Sequence, residues 1–529
     1  MKWRAWLLAV PIVALGVYLR LDNLATSPAW YPDEGSNIAI AAALARGEQA
    51  YLAFGQSSFI NSHPHLFYLL TAALFRLRGV DILWARLVAA GGSLLALILL
   101  YPVGRALLGR GTALLAMLVY AIHPAAVAYN RFAFTYNLLA PLYLGGLYAL
   151  HRYLDADGGQ QTPRAHASRS LRWLLVAALC AGLAPVTDVV GLVLPLFLVL
   201  ALLLHRPRHV LVALPGLALP ALAWGLWMWR SAGDAFLGDL AFAFSRIQAS
   251  AAVQLARLVL HYHLALEYDA WLLLGVVGLL ALPDRRSRWL LGGFFFTSFA
   301  ALMRTVNVAG QSYYYALPQL PFIALGIASL LARGVPWLVA QLEEDLHRQL
   351  AVRGLAARWR GPLVVCLNVA ILFVTVVSFF ASATFQDLFY LRRVSVVWRL
   401  EEGGMLADPY SARQAAAYVN AHTASDDVVL SSPTIAWLFE AQAADFQMAL
   451  AATGQATQHF PAGIPAERFR FDPRLENASY VVLDPLWRGW ASQQMPAVAA
   501  MVQAVEREWV LEARFGAFEV YRRPTGVGQ

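Results

Sequence analysis

Long apolar runs, separated by short polar stretches, fill the chain up to about residue 383. A helix needs about 20 mostly apolar residues to cross the hydrocarbon core of a bilayer. By that measure the pattern predicts eleven membrane-spanning helices, and so a mainly α-helical, polytopic membrane protein. The predicted spans cover residues 5–21, 82–102, 112–129, 135–152, 172–187, 189–204, 209–229, 270–283, 288–303, 316–332 and 362–383.

The segment between the first and second spans contains two further apolar stretches, each too short to cross a membrane. Residues 36–46 and 64–76 predict juxtamembrane helices, and the second is apolar enough to lie in the membrane interface. Farther along, the basic segment 334–360 is predicted to lie on the inner membrane surface. The first outer loop is therefore expected to be a structured part of the protein.

The pattern changes after residue 384, where charged residues return and short β-rich runs appear. Helical stretches near 409–421 and 494–507 alternate with these runs, which predicts a small water-soluble α/β domain. The chain thus divides into a membrane domain, 1–383, and a soluble domain, 384–529. The β-rich runs lie at 427–431, 480–484, 509–511 and 518–521.

The composition agrees with a protein solvated by lipid, because 59% of its residues are hydrophobic and only 14% are charged. Soluble domains carry about 25% charged residues. The net charge of +8 comes mostly from arginines, which favour the cytoplasmic side of a membrane, and no nucleic-acid motif accompanies them. Their placement predicts a cytoplasmic N-terminus and an external C-terminal domain. The abundance of Ala, Leu, Gly and Arg favours a bacterial cytoplasmic membrane.

Four polar clusters fall on the predicted outer side of the membrane, and we expect folding to bring them to one cavity. The first is the acidic pair Asp33 and Glu34, just beyond the first span. An acid near a bilayer is costly and is usually kept for a purpose. The other clusters are His63 with His65; Tyr129, Arg131 and Tyr136; and Arg304, Gln311, Tyr313 and Tyr314, with Asp188 in the turn between the fifth and sixth spans.

Carboxylates, imidazoles, guanidiniums and phenols together suit the transfer of a sugar from a sugar phosphate. A carboxylate can take the proton of an acceptor hydroxyl. Arginine and histidine can hold a phosphate through charge-assisted hydrogen bonds, and tyrosines can contact the sugar. We therefore assign Asp33 as the general base, Glu34 as its assistant or orienting partner, and the other cluster residues as substrate ligands. A single base opposite the leaving group implies inversion at the sugar carbon.

Each of these residues also has a structural interpretation. Asp33 is suited to cap a helix, since acids are favoured at helix N-termini. His63 can open a helix at Pro64, Arg131 can lie at the headgroup level, and the tyrosines can belong to an interfacial aromatic belt. Asp188 suits a turn as well as it suits a substrate contact.

The sequence contains neither a glycine-rich phosphate loop nor a convincing set of metal ligands. His261 and His263 come nearest, but residues two apart do not share a helix face. We therefore predict no resident cofactor and no metal site, and leave the dependence on a divalent ion open.

Several motifs together carry a family resemblance, and they are Tyr31-Pro32-Asp33-Glu34, Ser62-His63-Pro64-His65, Tyr129-Asn130-Arg131-Phe132 and the aromatic stretch before Leu317-Pro318. This set resembles the polyprenyl-phosphate-mannose protein mannosyltransferase-like enzymes of the GT-C glycosyltransferase superfamily, which also includes the aminoarabinose transferases of lipid A. The resemblance covers about residues 1–383.

The resemblance implies a polyprenyl-phosphate sugar as donor and transfer to an acceptor on the outer face of the membrane. It gives Asp33 the role of base, and it makes His63, Arg131 and Arg304 candidates for contacts with the lipid phosphate. Asp188 departs from the family pattern, which commonly has a lysine there. The pair Tyr314-Tyr315 stands where Arg-Tyr often occurs.

Two other functions fit a polytopic chain of this kind. A transporter or flippase for a lipid-linked substrate would use Asp33 and Asp188 as a proton relay, and it predicts acids deep inside spans and an inverted repeat. Neither feature is found in the sequence. The other alternative is a non-catalytic scaffold whose outer domain binds a partner. The sugar, the acceptor class, the lipid length and the oligomeric state stay open.

Overall fold

The structure, a computed structural model, contains a helical membrane domain followed by a small domain built on a five-stranded sheet. It describes residues 3–48, 50–52, 65–155, 163–245, 270–305, 313–352, 357–392, 406–457, 459–491 and 495–524.

The helices of the membrane part include spanning, broken and juxtamembrane segments. In chain order they are α1 (Trp3–Leu21), α2 (Pro32–Arg46), α3 (Leu66–Arg78), α4 (Ile82–Leu107), α5 (Arg110–Ile122), α6 (Pro124–Tyr129), α7 (Leu139–Asp155), α8 (Pro163–Thr187), α9 (Val193–His205), α10 (His209–Ala232), α11 (Asp234–Ser245), α12 (Ala270–Leu280), α13 (Phe294–Thr305), α14 (Leu320–Val352) and α15 (Ala357–Arg392).

The predicted juxtamembrane helices are present as α2 and α3, and the predicted spans coincide with helical segments. Other apolar helices in the described ranges are shorter, so the predicted total of eleven spans is not confirmed. Helix α11, in the outer loop after α10, was not predicted. The helical segments of the described chain that are long and apolar enough to cross a bilayer are Ile82–Leu107, Ser170–Thr187, His209–Ala232 and Ala316–Gln349.

The predicted third span, residues 112–129, is two helices in the structure. Helix α5 ends at Ile122, and α6 begins at Pro124, because proline has no N–H to continue the hydrogen-bond ladder. His123 between them has an extended backbone, and its Nδ1 accepts a hydrogen bond from the Ala126 N–H at 3.4 Å. The predicted single span is therefore interrupted at His123 and Pro124.

The last two helices extend beyond the predicted ends of their spans. Helix α14 continues to Val352, so most of the predicted surface segment 334–360 belongs to the same helix as the tenth span. Helix α15 continues to Arg392, past the predicted domain boundary at 383. A hydropathy pattern marks where the run of apolar residues ends, whereas the helix can continue through the polar residues that follow.

Two membrane helices pack closely where both of them carry glycine at the contact. A Cβ on Gly278 of α12 would lie 1.9 Å from the carbonyl oxygen of Gly326 of α14, and a Cβ on Gly326 would lie 2.1 Å from the Gly275 oxygen. Only glycine allows two backbones to approach this closely, and small residues commonly mediate helix contacts in membranes. The crossing of α12 and α14 is therefore fixed by its glycines.

The soluble domain combines a parallel half-sheet with an antiparallel one. The strand order is β2-β1-β3-β5-β4, with β1 parallel to β2 and β3, and β5 antiparallel to β3 and β4. Strand β2 was not predicted, because Gln442–Ala444 has neither β-branched nor aromatic residues. The elements are α16 (Pro409–His422), β1 (Val428–Leu430), α17 (Pro433–Ala436), β2 (Gln442–Ala444), α18 (Phe446–Ala452), β3 (Ala478–Leu483), α19 (Pro496–Glu508), β4 (Val510–Phe515) and β5 (Phe518–Arg522).

One continuous apolar core joins the juxtamembrane helices to the soluble domain. Ile38 of α2 and Phe67 of α3 belong to the same buried cluster as Val429, Ile435 and Val520. Each of these side chains is fully buried or nearly so. The soluble domain is therefore packed onto the first outer loop rather than tethered beside it.

The glycine crossing predicts that Gly326→Ala will separate α12 from α14. Overpacking of this kind costs about 1–3 kcal/mol. We expect a lower melting temperature of the detergent-solubilised protein. Gly334→Ala is the matched control in the same helix, since the nearest atom to its Cβ would be 4.0 Å away. An equal effect of both substitutions would contradict the packing account.

Candidate active site

Helix α2 places the two acids of the first outer loop at its N-terminus. Tyr31 has an extended backbone at the N-cap, and Pro32 follows at the first helical position, where its fixed φ suits a helix start. Asp33 and Glu34 lie in the first turn, which favours acidic side chains through the helix dipole. The helix ends at Gly47, whose φ of 78° suits glycine.

Glu34 forms a fully buried ion pair with Arg86 of α4. The guanidinium donates from Nε to Oε1 at 2.8 Å and from Nη2 to Oε2 at 2.7 Å, and both side chains have 0% exposure. Glu34 also accepts from the Ala133 N–H at 2.8 Å and the Tyr31 N–H at 3.3 Å. Because both carboxylate oxygens accept these bonds, Glu34 links the start of α2 to α4 and to the segment that contains Ala133.

The remaining donors of Arg86 fix the loop between α1 and α2. Its Nη1 donates to the carbonyl oxygens of Leu24 and Pro28, each at 2.9 Å, and its Nη2 reaches the Ala29 oxygen at 3.4 Å. Arg86 lies inside the predicted second span, 82–102, and no role was predicted for it. An arginine inside a predicted span, with an acid nearby in a loop, is the signal that would have pointed to this pair.

Arg131 is buried and bonded to backbone carbonyls rather than directed into an open site. Its guanidinium donates to the oxygens of Leu19 at 2.8 Å and Ser27 at 2.8 Å, and also to the Asp22 oxygen. Arg20, at the end of α1, is bonded in a similar way. It donates to the backbone oxygens of Tyr120 and Ala121 and to the Ser93 hydroxyl. This geometry favours a structural role for Arg131 over the predicted contact with a phosphate.

Asp33 shares one face of α2 with Asn37, four residues later. The Asn37 Nδ2 donates to the Ala133 oxygen at 2.8 Å, and its Oδ1 accepts from the Tyr68 hydroxyl at 2.9 Å. Burial raises the pKa of Tyr68 of α3, and the carboxylates of Asp188 and Asp33 raise it further. The same phenol is therefore within electrostatic reach of both acids.

Asp188 lies in the turn between α8 and α9. Its Oδ2 accepts from the Thr135 hydroxyl at 3.1 Å, and its Oδ1 accepts from the Val190 N–H at 3.1 Å. The second bond caps the short helix that begins at Val189. Asp188 thus fulfils the turn role expected of it, while its carboxylate also contributes to the charge around Tyr68.

His65 begins α3 and is enclosed by aromatic rings. Its Nδ1 accepts from the Trp224 indole N–H at 2.9 Å, and the Trp227 ring lies 5.6 Å away. Accepting at Nδ1 places the ring proton of the neutral form on Nε2. His65 therefore joins α3 to α10 beside the Tyr68 ring.

Two other predicted site residues, Tyr129 and Tyr136, lie on either side of the turn that follows α6. Tyr129 is buried at the end of α6 and packs on Phe132 at 6.2 Å, while Tyr136 is half-buried in the turn before α7. The structure gives only the helical backbone for Arg304, Tyr313 and Tyr314, and His63 and Gln311 lie outside the described residues. Within the described ranges, no three His, Cys, Asp or Glu side chains group in a way that could hold a metal ion.

The soluble domain touches α2 next to the acids. A Cβ on Gly35 would lie 1.8 Å from the Pro433 carbonyl oxygen, so α17 rests directly on the backbone of the first turn. Just before α2, Trp30 exchanges backbone hydrogen bonds with Ala407 at 3.0 and 2.9 Å, and its ring lies 5.1 Å from that of Trp437. The C-terminal domain is thus part of the surroundings of Asp33.

Comparisons with known proteins agree with the resemblance drawn from the motifs. A family model described as dolichyl-phosphate-mannose-protein mannosyltransferase matches residues 62–230. No curated protein sequence matches the chain. Two solved folds are similar along nearly the whole chain, and both come from GT-C glycosyltransferases.

The first is ArnT from Cupriavidus metallidurans bound to undecaprenyl phosphate, with a TM-score of 0.66, 16% identity and 98% of each chain covered. The second is the archaeal oligosaccharyltransferase AglB from Archaeoglobus fulgidus, in complex with an inhibitory peptide and a dolichol-phosphate. It has a TM-score of 0.53 and 12% identity, and the match covers 100% of this chain and 75% of AglB. The predicted resemblance to GT-C glycosyltransferases is confirmed, and the chain has their fold.

The buried pair predicts a large loss of stability on Arg86→Met, because Glu34 would keep an unpaired buried charge. Removal of one partner of a buried pair typically costs about 3–5 kcal/mol. We expect a strongly lowered melting temperature and partial recovery in the double variant Glu34→Gln/Arg86→Met. Arg348→Met is the control, since its pair with Glu344 is exposed. An Arg86→Met variant as stable as this control would contradict the role given to the pair.

The contact with α17 predicts that Gly35→Ala will shift the soluble domain away from the first turn of α2. We expect the rate of sugar transfer to fall by a larger factor than any loss of folded protein explains, because the change is confined to the surroundings of Asp33. Gly91→Ala in α4 is the matched control, since no atom would lie within 4 Å of its Cβ. Cross-linking between cysteines introduced on α2 and α17 measures the shift. Full activity with an unchanged cross-linking yield would exclude the tight contact.

Proposed function

We propose that this protein is an integral membrane glycosyltransferase that moves a sugar from a polyprenyl-phosphate donor to an extracytoplasmic acceptor. The observation that carries the proposal is the place of the two adjacent acids in the first turn of α2. Glu34 is fixed by Arg86 and two backbone N–H groups, and the half-buried Asp33 shares a helix face with Asn37. The GT-C fold supplies the class of reaction to which such a carboxylate is suited.

In the proposed reaction, Asp33 acts as the general base. The oxygen of the acceptor hydroxyl forms a bond to the anomeric carbon while its proton passes to the Asp33 carboxylate. The bond between that carbon and the phosphate oxygen breaks, and the polyprenyl phosphate leaves with the electron pair. A single displacement of this kind inverts the anomeric configuration.

Glu34 has a positioning role in this proposal. Its carboxylate is part of a buried pair, and so it holds the first turn of α2 at a fixed place relative to α4 and Ala133. Tyr68 and Asn37 lie beside this turn, and Asp188 contributes a further carboxyl group near Tyr68. Pre-positioning of this kind is how a static scaffold contributes to catalysis.

The donor is proposed to be lipid-linked because ArnT, which shares the fold, was crystallised with undecaprenyl phosphate and AglB with a dolichol-phosphate. Contacts with the phosphate are assigned to His63 and Arg304, and contacts with the rest of the donor to Gln311, Tyr313 and Tyr314, on the strength of the sequence motifs. Arg131 is left out of this set, since its donors already bond carbonyl oxygens. The proposal places the N-terminus in the cytoplasm of a bacterium and Asp33 with the soluble domain outside.

The assigned base predicts that Asp33→Asn will abolish transfer while the donor still binds. A positioned general base contributes about 10²–10⁴-fold to a rate, so we expect kcat to fall by at least that lower factor. The measurement uses purified protein in nanodiscs with a panel of polyprenyl-phosphate sugars. Donor binding is followed separately by scintillation proximity with the labelled lipid.

Asp234→Asn is the matched control, because Asp234 also lies in the first turn of an outer helix, α11, and is exposed. It is expected to retain wild-type transfer. Retention of transfer by Asp33→Asn would remove the base from the proposal, and a product with the anomeric configuration of the donor would remove the single displacement. Donor translocation without sugar turnover would favour a flippase instead.

A further inference from the structure

A cleft of about 320 Å³ lies between α2 and the soluble domain, away from the acids at the start of that helix. Its size falls in the range of ligand sites, about 300–1,000 Å³. One wall is the second half of α2, and the other is the segment from Ala436 through β2. We call it the β2 cleft, and define it by Ala39, Arg46, Tyr51, Phe439, Gln442 and Arg470.

The wall formed by α2 is built from small side chains. Ala39, Ala42 and Ala43 line the cleft at helical spacing, while Ile38 and Ile40 on other faces are buried in the core. The alanines leave the space that larger residues would fill. With a rise of about 1.5 Å per residue, Ala39 lies about 9 Å along the helix from Asp33. At about 100° per residue, Ala39 also lies about 120° around the helix from Asp33, so the cleft and the acid are on different faces of α2.

The charged groups of the cleft neutralise one another. Glu48 lies between Arg46, at 2.8 Å, and Arg470, at 3.3 Å, and Glu440 also lines the cleft. Two guanidiniums and two carboxylates leave no net charge. Such a site does not favour a phosphate or a cationic peptide, but it offers both donors and acceptors to a neutral, hydroxyl-rich ligand.

Aromatic rings complete the cleft. Tyr51 is 38% exposed, and Trp437, Phe439 and Phe471 are partly exposed along the same opening. Backbone bonds hold the surroundings in place, since the N–H of Leu52 donates to the Arg468 oxygen at 2.9 Å. Rings beside paired charges can stack on the apolar face of a sugar while the polar groups bond its hydroxyls.

We propose that the β2 cleft binds a saccharide portion of the acceptor and so acts as an acceptor subsite. This inference rests on the proposed function, because the saccharide bound here is taken to belong to the acceptor of the proposed transfer. A peptide added to the edge of the sheet is the less favoured occupant, since β2 offers only the three residues Gln442–Ala444 for pairing.

The first test is direct binding, which needs no turnover. Full-length protein in nanodiscs is titrated with purified oligosaccharides from bacterial envelope glycans, and saturation-transfer NMR reports the bound sugar protons. We expect binding by the wild type and loss of it in Tyr51→Ala and Arg470→Gln. The matched controls are Tyr410→Ala, a 70% exposed tyrosine outside the cleft, and Arg474→Gln, whose partner is Asp472. Both controls are expected to bind as the wild type does.

The second test separates this inference from the proposed function. With a glycan-bearing acceptor, the cleft variants are expected to raise the acceptor KM about tenfold with kcat and the donor KM unchanged, as loss of uniform binding does. Unchanged acceptor KM in both variants, or binding of an unglycosylated peptide alone, overturns the subsite while transfer dependent on Asp33 stands. Absence of transfer from every donor in the wild type overturns the proposed function instead.

Discussion

The bidentate pair between Glu34 and Arg86 is the interaction on which the outer end of this protein depends. Both side chains are fully buried, so their desolvation is costly and is offset only when every polar atom is bonded. Arg86 meets this condition by bonding three carbonyls of the first loop, and Glu34 meets it by accepting from Ala133 and Tyr31. One ion pair therefore joins α2, α4 and the segment after α6. Arg20 and Arg131 extend the same principle to the end of α1.

This arrangement explains why two adjacent acids can have different tasks. In the first turn of a helix, neighbouring side chains point about 100° apart, so Glu34 can enter the core while Asp33 lies on the face of α2 that carries Asn37, which bonds the Tyr68 hydroxyl. The soluble domain adds a second constraint from the other side, through Gly35 and Trp30. The start of α2 is thus held between the helical bundle and a packed domain, which is the kind of support that the proposed base requires.

The sequence was informative where a feature depends on local composition. The two juxtamembrane helices and the sheet-bearing domain were predicted from short-range patterns. It was less informative where burial decides, since nothing local distinguishes Arg131, which bonds carbonyls, from an arginine that binds a phosphate. Strand β2 was missed because Gln442–Ala444 owes its conformation to β1 beside it. The extension of α14 to Val352 was missed because hydropathy measures lipid contact rather than helix length.

In the proposed complex, the lipid-linked donor contacts Asp33 while Glu34 stays in the core. The most direct test is a structure of the protein in nanodiscs with a non-transferable polyprenyl-phosphate sugar. The account predicts the Asp33 carboxylate on the side of the anomeric carbon opposite the phosphate, with room for one acceptor oxygen about 3–3.5 Å from that carbon. It also predicts Glu34 still paired with Arg86. A donor headgroup bound where Asp33 cannot reach that side, or a Glu34 released from Arg86 to contact the sugar, would contradict it.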